Sequence, residues 1–184
     1  MAGKVIFEID TSAFERLASR LASAGKNIRP ALARAINHTG DKARTQIARA
    51  LVKQTGVKYG AVRKAMTSKL ASAGTLMHRI ISKGGYISLK EFGARQTSKG
   101  VSAAPWNKRR VFAHTFIIPS LGGHVFERRG HDRLPIRKLW GPAIPKEMVK
   151  DQSKKAFETT VASDLPSRIE HEVTAILTGI AKGD

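Results

Sequence analysis

Residues 109–129 read RRVFAHTFIIPSLGGHVFERR. Two runs rich in β-branched and aromatic residues, Arg109 to Ile118 and His124 to Arg128, flank Leu121-Gly122-Gly123. Such runs read as strands, and paired glycines supply the backbone freedom of a tight connection. The stretch therefore predicts an antiparallel hairpin over 109–128. If its strands pair along their whole length, Lys108, Arg109 and Arg110 meet Arg128 and Arg129 across the open end. Five cations held that close call for an anion, either phosphate or a carboxylate-rich neighbouring subunit.

Further strands are expected upstream at Leu76 to Ile81 and Tyr86 to Leu89, with a short helix around Lys58 to Met66. Between strands, 93–108 is polar, contains Gly100 and Pro105, and carries Arg95 and Lys99. It reads as a long basic loop, of a kind that is usually functional or mobile. The N-terminus opens with a strand, Lys4 to Ile9, followed by a helix with Phe14, Leu17, Ala18 and Leu21 at helical spacing up to Gly25. Asn27 and Pro30 open a longer helix that runs to about Lys53, and Gly56 stops it. At about 100° per residue, Leu32, Ile36, Ala43, Ile47 and Ala50 form its apolar stripe, with Arg34, Lys42, Arg49 and Lys53 on a basic flank beside it.

Helix signals return over about 147–182. Val149, Ala156, Phe157 and Val161 form one stripe, Asp164-Leu165-Pro166 restarts the helix, and Ile169, Val173, Ile176 and Ile180 align after it. The expectation is a single α+β domain over 1–184, with a long helix and C-terminal helices packed on an antiparallel sheet of about four strands. Trp140 and the stripe of Ile169, Val173, Ile176 and Ile180 are the interface candidates.

Charge sets the class of partner. The net charge is +19, and residues 26–146 carry 25 basic and four acidic side chains while the two ends are balanced or slightly acidic. A section so loaded repels itself unless a polyanion lies nearby, which points to a surface facing nucleic acid. The channel-facing candidates are Arg95, Lys99, Lys108, Arg109, Arg110, Arg128 and Arg129; the basic helix flank of Arg34, Lys42, Arg49 and Lys53 is either a further positive surface or an ordinary solvated helix face. Only 6% of residues are aromatic. No helix-turn-helix or zinc-finger spacing occurs either, so any DNA contact should be indifferent to sequence.

Catalysis finds no foothold. The chain lacks Cys, which removes disulfides, thiolate metal sites and a cysteine nucleophile. His124, His131 and Asp132 invite a nuclease reading, but the basic section holds only Asp41, Glu91, Glu127 and Asp132 as carboxylates. No Walker loop, HExxH, dinucleotide fingerprint or nucleophile elbow is present, so no cofactor or metal is expected. His114 reads as packed or hydrogen-bonded and not as catalytic, and Trp106 and Trp140 as core or interface anchors. No apolar run approaches the roughly 20 residues a membrane span needs, and the N-terminus does not read as a signal peptide.

The order of motifs resembles the minor tail protein Z, or tail-completion, family of long-tailed bacteriophages. It runs from Ala33-Arg34-Ala35-Ile36-Asn37 through Thr55-Gly56-Val57-Lys58 to Ile87-Ser88-Leu89-Lys90-Glu91-Phe92-Gly93-Ala94-Arg95. It continues with Phe116-Ile117, Gly123-His124-Val125-Phe126-Glu127-Arg128-Arg129, Leu134-Pro135-Ile136-Arg137 and Gly141-Pro142-Ala143-Ile144-Pro145. Ala156-Phe157 and Leu165-Pro166 complete it. The resemblance implies a structural protein of the virion neck, assembled in the host cytoplasm and without catalytic residues. It further implies a homo-oligomeric ring, hexamer favoured and dodecamer possible, around packaged DNA and against tail terminator and head–tail connector proteins. Two other readings are a freestanding, sequence-indifferent DNA-binding protein and a small nuclease.

Overall fold

A computed structural model describes residues 3–9 and 28–178. The helix expected over 10–25 and Ile180 lie outside the described residues. Strand β1, Val5–Ile9, is followed by helix α1, Ile28–Thr55. Pro30 occupies the first turn of α1, where its missing N–H breaks no bond, and Gly56 leaves the helix at φ 76°, which favours glycine. The 28 residues of α1 span about 42 Å. Leu32, Ile36, Ala43 and Ile47 are buried as expected and Ala50 is half-buried. Ala31, Ala35, Thr39 and Gly40 are buried too, because α1 is covered on more than one side.

Helix α2, Tyr59–Lys64, is shorter than expected, since Met66–Lys69 forms strand β2. β2 and β1 both pair antiparallel with β3, His78–Ser82, giving a small sheet in the order β1-β3-β2. Next come β4, Tyr86–Ser88, and a single helical turn at Leu89–Phe92. The expected long loop is in fact a hairpin of β5, Arg95–Thr97, and β6, Gly100–Ala103, followed by a tight turn at Pro105–Asn107. Asn107 in that turn donates its amide to the carbonyls of Val52 (3.2 Å) and Lys53 (2.7 Å), satisfying the open C-terminal end of α1.

The expected 109–128 hairpin is half right. Its first strand breaks at His114, φ 57°, into β7, Arg110–Ala113, and β8, Thr115–Ile118. β8 pairs with β9, His124–Arg128, as predicted, from Thr115 opposite Glu127 to Ile118 opposite His124. β7 instead turns onto β6. Thr115 holds the break: its buried hydroxyl donates to the Phe112 carbonyl (2.6 Å) and accepts from the Val101 amide (2.9 Å). Gly100, at φ 133°, permits the approach, since a Cβ there would lie 2.1 Å from the Phe112 carbonyl oxygen. In place of one four-stranded sheet, the described residues form four small ones: β1-β3-β2, β5-β6-β7, β10-β9-β8 and β11-β4, where β10 is Ile136–Lys138 and β11 is Trp140–Ala143.

Two C-terminal helices follow, but divided elsewhere than expected: α3, Ile144–Met148, and α4, Asp151–Leu177, which passes through Pro166 without a break. Proline inside a helix forfeits one backbone bond, and packing outweighs that loss here. Leu165 and Ile169 on either side of Pro166 are buried against α1, and Asp164 is pinned to Thr39 and Lys42. α4 runs antiparallel to α1, as the pairs Gln54–Ser153, Thr39–Asp164 and Arg34–Glu172 demonstrate. Val173 and Ile176 pack into the same cluster as Leu32, Ile36 and Ile9, whereas Val149 is exposed. A second cluster, including Ala43, Ile47, Leu51, Ile80, Val101, Val125 and Met148, joins the other half of α1 to the sheets. Phe7 and Phe157 stack at 4.7 Å where β1 meets α4.

Candidate nucleic-acid interface

The lobe formed by β5 to β10, residues 93–138, contains ten basic and two acidic side chains. Arg95, Arg110 and Arg128 stand on its short strands, and Lys99, Lys108, Arg109 and Arg129 on the turns and connections beside them. Arg95, Lys99, Lys108, Arg109, Arg110, Arg128 and Arg129 are all exposed, and none of the seven forms an ion pair within the described residues. One of the two acids, Glu127, is already engaged by Arg137 at 2.5 Å.

Register distributes the seven into two groups. Arg95 lies opposite Ser102, and Arg109 donates to the Ser102 hydroxyl and the Gly93 carbonyl, both at 3.3 Å. Lys108, Arg109 and Arg110 therefore share one end of β5-β6-β7 with Arg95. Lys99 sits at the opposite turn, beside the Gly100–Ala113 pair, and Arg128 ends β9 opposite Ile136 of β10. The expected meeting of Arg109 and Arg110 with Arg128 and Arg129 across one open hairpin end does not occur. β7 intervenes, roughly 10 Å of strand, because the strand breaks at His114 and β7 pairs with β6 while β8 pairs with β9. Arg129 begins the exposed 129–135 connection to β10, the stretch that also contains His131 and Asp132.

Aromatic rings order several cations. The Arg110 guanidinium lies 4.5 Å from the Phe112 ring centre, that of Arg128 lies 5.3 Å from Phe116, and the Lys138 ammonium lies 4.4 Å from Trp140. Each such contact is worth about 0.5–1 kcal/mol at an exposed site. It lays the charged group on the surface with its hydrogen-bond donors still available to a partner. Trp140 and Trp106 are both exposed, so neither is a core residue.

The flank of α1 behaves differently. Arg34 donates to Glu172 at 2.9 Å, and Lys42 and Thr39 both bond Asp164. Burial by itself would raise the Asp164 pKa, but the hydrogen bonds from Lys42 and Thr39 and the charges of Lys42 and His38 outweigh it and hold the carboxyl below its ordinary value. The acidic residues of α4 thus compensate half of this flank. Arg49 and Lys53 are exposed further along, lining an open groove with Tyr59 and Gln152. Two of the interface candidates, Val173 and Ile176, are half-buried and Ile169 is fully buried, all against the chain's own α1 cluster.

Two histidines are polar landmarks whose structural roles the sequence did not reveal. His78 is fully buried, with Nδ1 3.2 Å from the Asn37 side-chain oxygen. Burial lowers its pKa, Asp41 partly opposes this, and Arg44 adds to it. The helical signal for Asn37 was visible, but its role was not: both ends of its amide bond the backbone of Ala71, at 2.7 and 2.9 Å. His124 bonds the Ser88 hydroxyl at 2.9 Å, and its partial burial with Lys138 and Lys90 nearby favours the neutral ring. Among the described residues, no group of three or more His, Asp or Glu could hold a metal ion. No helix among them is long and apolar enough to cross a membrane.

A family model described as prophage minor tail protein Z (GPZ) matches residues 13–182. No curated protein and no solved structure gives a significant match.

Proposed function

We propose that this chain, which belongs to the prophage minor tail protein Z family, assembles as a ring of identical subunits at the head–tail junction and turns its β5–β10 lobe to the DNA in the channel. The family is that of a structural tail protein of phage virions and not a known enzyme family. The observation that carries the finer reading is the contrast between two basic surfaces. Arg34 and Lys42 on α1 are matched by Glu172 and Asp164, whereas the seven exposed cations of the lobe form no ion pair among the described residues.

Exposed cations without carboxylates beside them suit a phosphate backbone sliding past. They supply attraction through counterion release without reading bases. The near-neutral ends of the chain are left to protein neighbours, for which the tail terminator and the head-side connector are the proposed partners. Electron microscopy of the purified protein, and of virion necks carrying a label on it, tests the ring. Closed rings with the lobe lining the opening agree with the proposal. A labelled position away from the neck, or a lobe on the outer rim, contradicts it.

A further inference from the structure

We propose that the groove between α2 and the Lys83–Ile87 segment is a docking site for an extended, apolar and acidic segment of a different protein chain. The groove encloses about 370 Å³, within the roughly 300–1,000 Å³ of ordinary binding pockets. Its floor is apolar: Val57 and Ile144 are buried beneath it, with Ala61, Ala65, Ile87 and Pro145 around them. One wall is Gly84 and Gly85, whose backbone is exposed and where an added Cβ would meet no atom within 4 Å. Tyr86 beside them is a large ring left 43% exposed.

The occupant's chemistry follows from the rim. Lys58 and Lys83 line it, Lys146 lies over the Tyr86 ring and bonds its hydroxyl, and Glu91 is the single acid. An apolar floor ringed by ammonium groups selects apolar side chains flanked by carboxylates. Exposed glycine backbone, and β4 paired on one edge alone among the described strands, offer hydrogen bonds to an extended chain and none specific to a helix. A second copy is the poorer occupant, because each carries a net charge of +19 and brings like charge to a lysine rim. This site lies apart from the seven cations of the β lobe and does not depend on their role.

The test uses the full chain and two labelled peptides, Asp-Leu-Glu-Phe-Asp-Ile-Glu and its counterpart with serine at the three apolar positions, titrated by fluorescence anisotropy. The apolar peptide should bind at least tenfold more tightly than the serine peptide. Gly85→Leu should fill the groove mouth, and Ala61→Glu should set a negative charge on its exposed α2 side. Each should lower the affinity at least fivefold while changing binding to random duplex DNA less than twofold, and if one variant fails to fold the other decides. Equal binding of the two peptides, or affinity unmoved by a folded variant, overturns the site. Self-association in sedimentation that either variant abolishes also overturns it, since a second copy would then be the occupant.

Discussion

Arg34 on α1 and Glu172 on α4, 138 residues apart in sequence, meet at 2.9 Å, and Arg168 reaches the other oxygen of the same carboxylate at 2.9 Å. Glu172 is nearly buried, with its side chain 9% exposed, while the Arg34 side chain is 51% exposed. Two cations thus share one counter-ion, and α4 neutralises part of a flank that looks free in sequence. Glu172→Gln should cost about 1–3 kcal/mol, discounted for the exposure of Arg34. Urea denaturation measures it, and a loss below a few tenths would mean that the triad is ornamental.

Gly40 touches His78 in the same way, without room to spare. A Cβ on Gly40 would lie 2.5 Å from the His78 ring, whose position is fixed by Asn37. Alanine at a helix interior gains about 1 kcal/mol of propensity over glycine. Gly40→Ala should nonetheless destabilise the protein by about 1–3 kcal/mol net, through overpacking. A variant of raised stability would show that β3 can withdraw from α1.

Stability should fall on mild acidification because of His78. Its folded pKa lies below the ordinary 6.5, so between the two values the unfolded chain binds more protons. The contribution of the neutral ring is complete above about pH 6.5 and is lost as pH falls from there toward the folded pKa. His78→Gln should flatten that part of a plot of unfolding free energy against pH. Asp164, held low, adds a separate loss only below its ordinary 3.8.

Val173→Asp places a charge against the apolar cluster that contains Leu32, Ile36 and Ile169. Val173 is half-buried, so the expected loss is about 2–3 kcal/mol in thermal or urea melts. An unchanged melt would show that α4 frays from α1 at this point.

Periodicity over a long stretch was legible. Pro30, the Leu32–Ile47 stripe and Gly56 delimit α1 to within two residues, and Gly122-Gly123 locates the β8–β9 hairpin. What sequence hid has a common cause, namely that distant groups decide it. Nothing around His114 signals a left-handed residue, because the apolar alternation continues on both sides; the break is held by Val101 and Gly100 from another strand. Pro166 reads as a stop, yet Leu165, Ile169 and the bonds of Asp164 carry the helix through. The 93–108 stretch reads as a loop since its hairpin is polar. Gln96 within it bonds the Ile117 amide at 3.0 Å and so ties the two lobe sheets together. The seven lobe cations were singled out from the charge excess, the expected hairpin and loop, and the resemblance, and all are exposed; which basic flank is compensated depends on α4, far along the chain.

The most direct measurement compares two double variants for binding to a random duplex across a series of salt concentrations. Arg110→Gln with Arg129→Gln removes two lobe cations and spares Arg109, which holds Gly93 and Ser102. Arg34→Gln with Lys42→Gln removes two compensated cations of α1. Each phosphate neutralised contributes about 0.9 to the slope of log affinity against log salt. The lobe pair should therefore lower the slope by about 1.8, whereas the α1 pair should leave it unchanged and lower only stability. A slope that falls with the α1 pair, or that neither pair alters in folded protein, would contradict the assignment of the lobe to DNA.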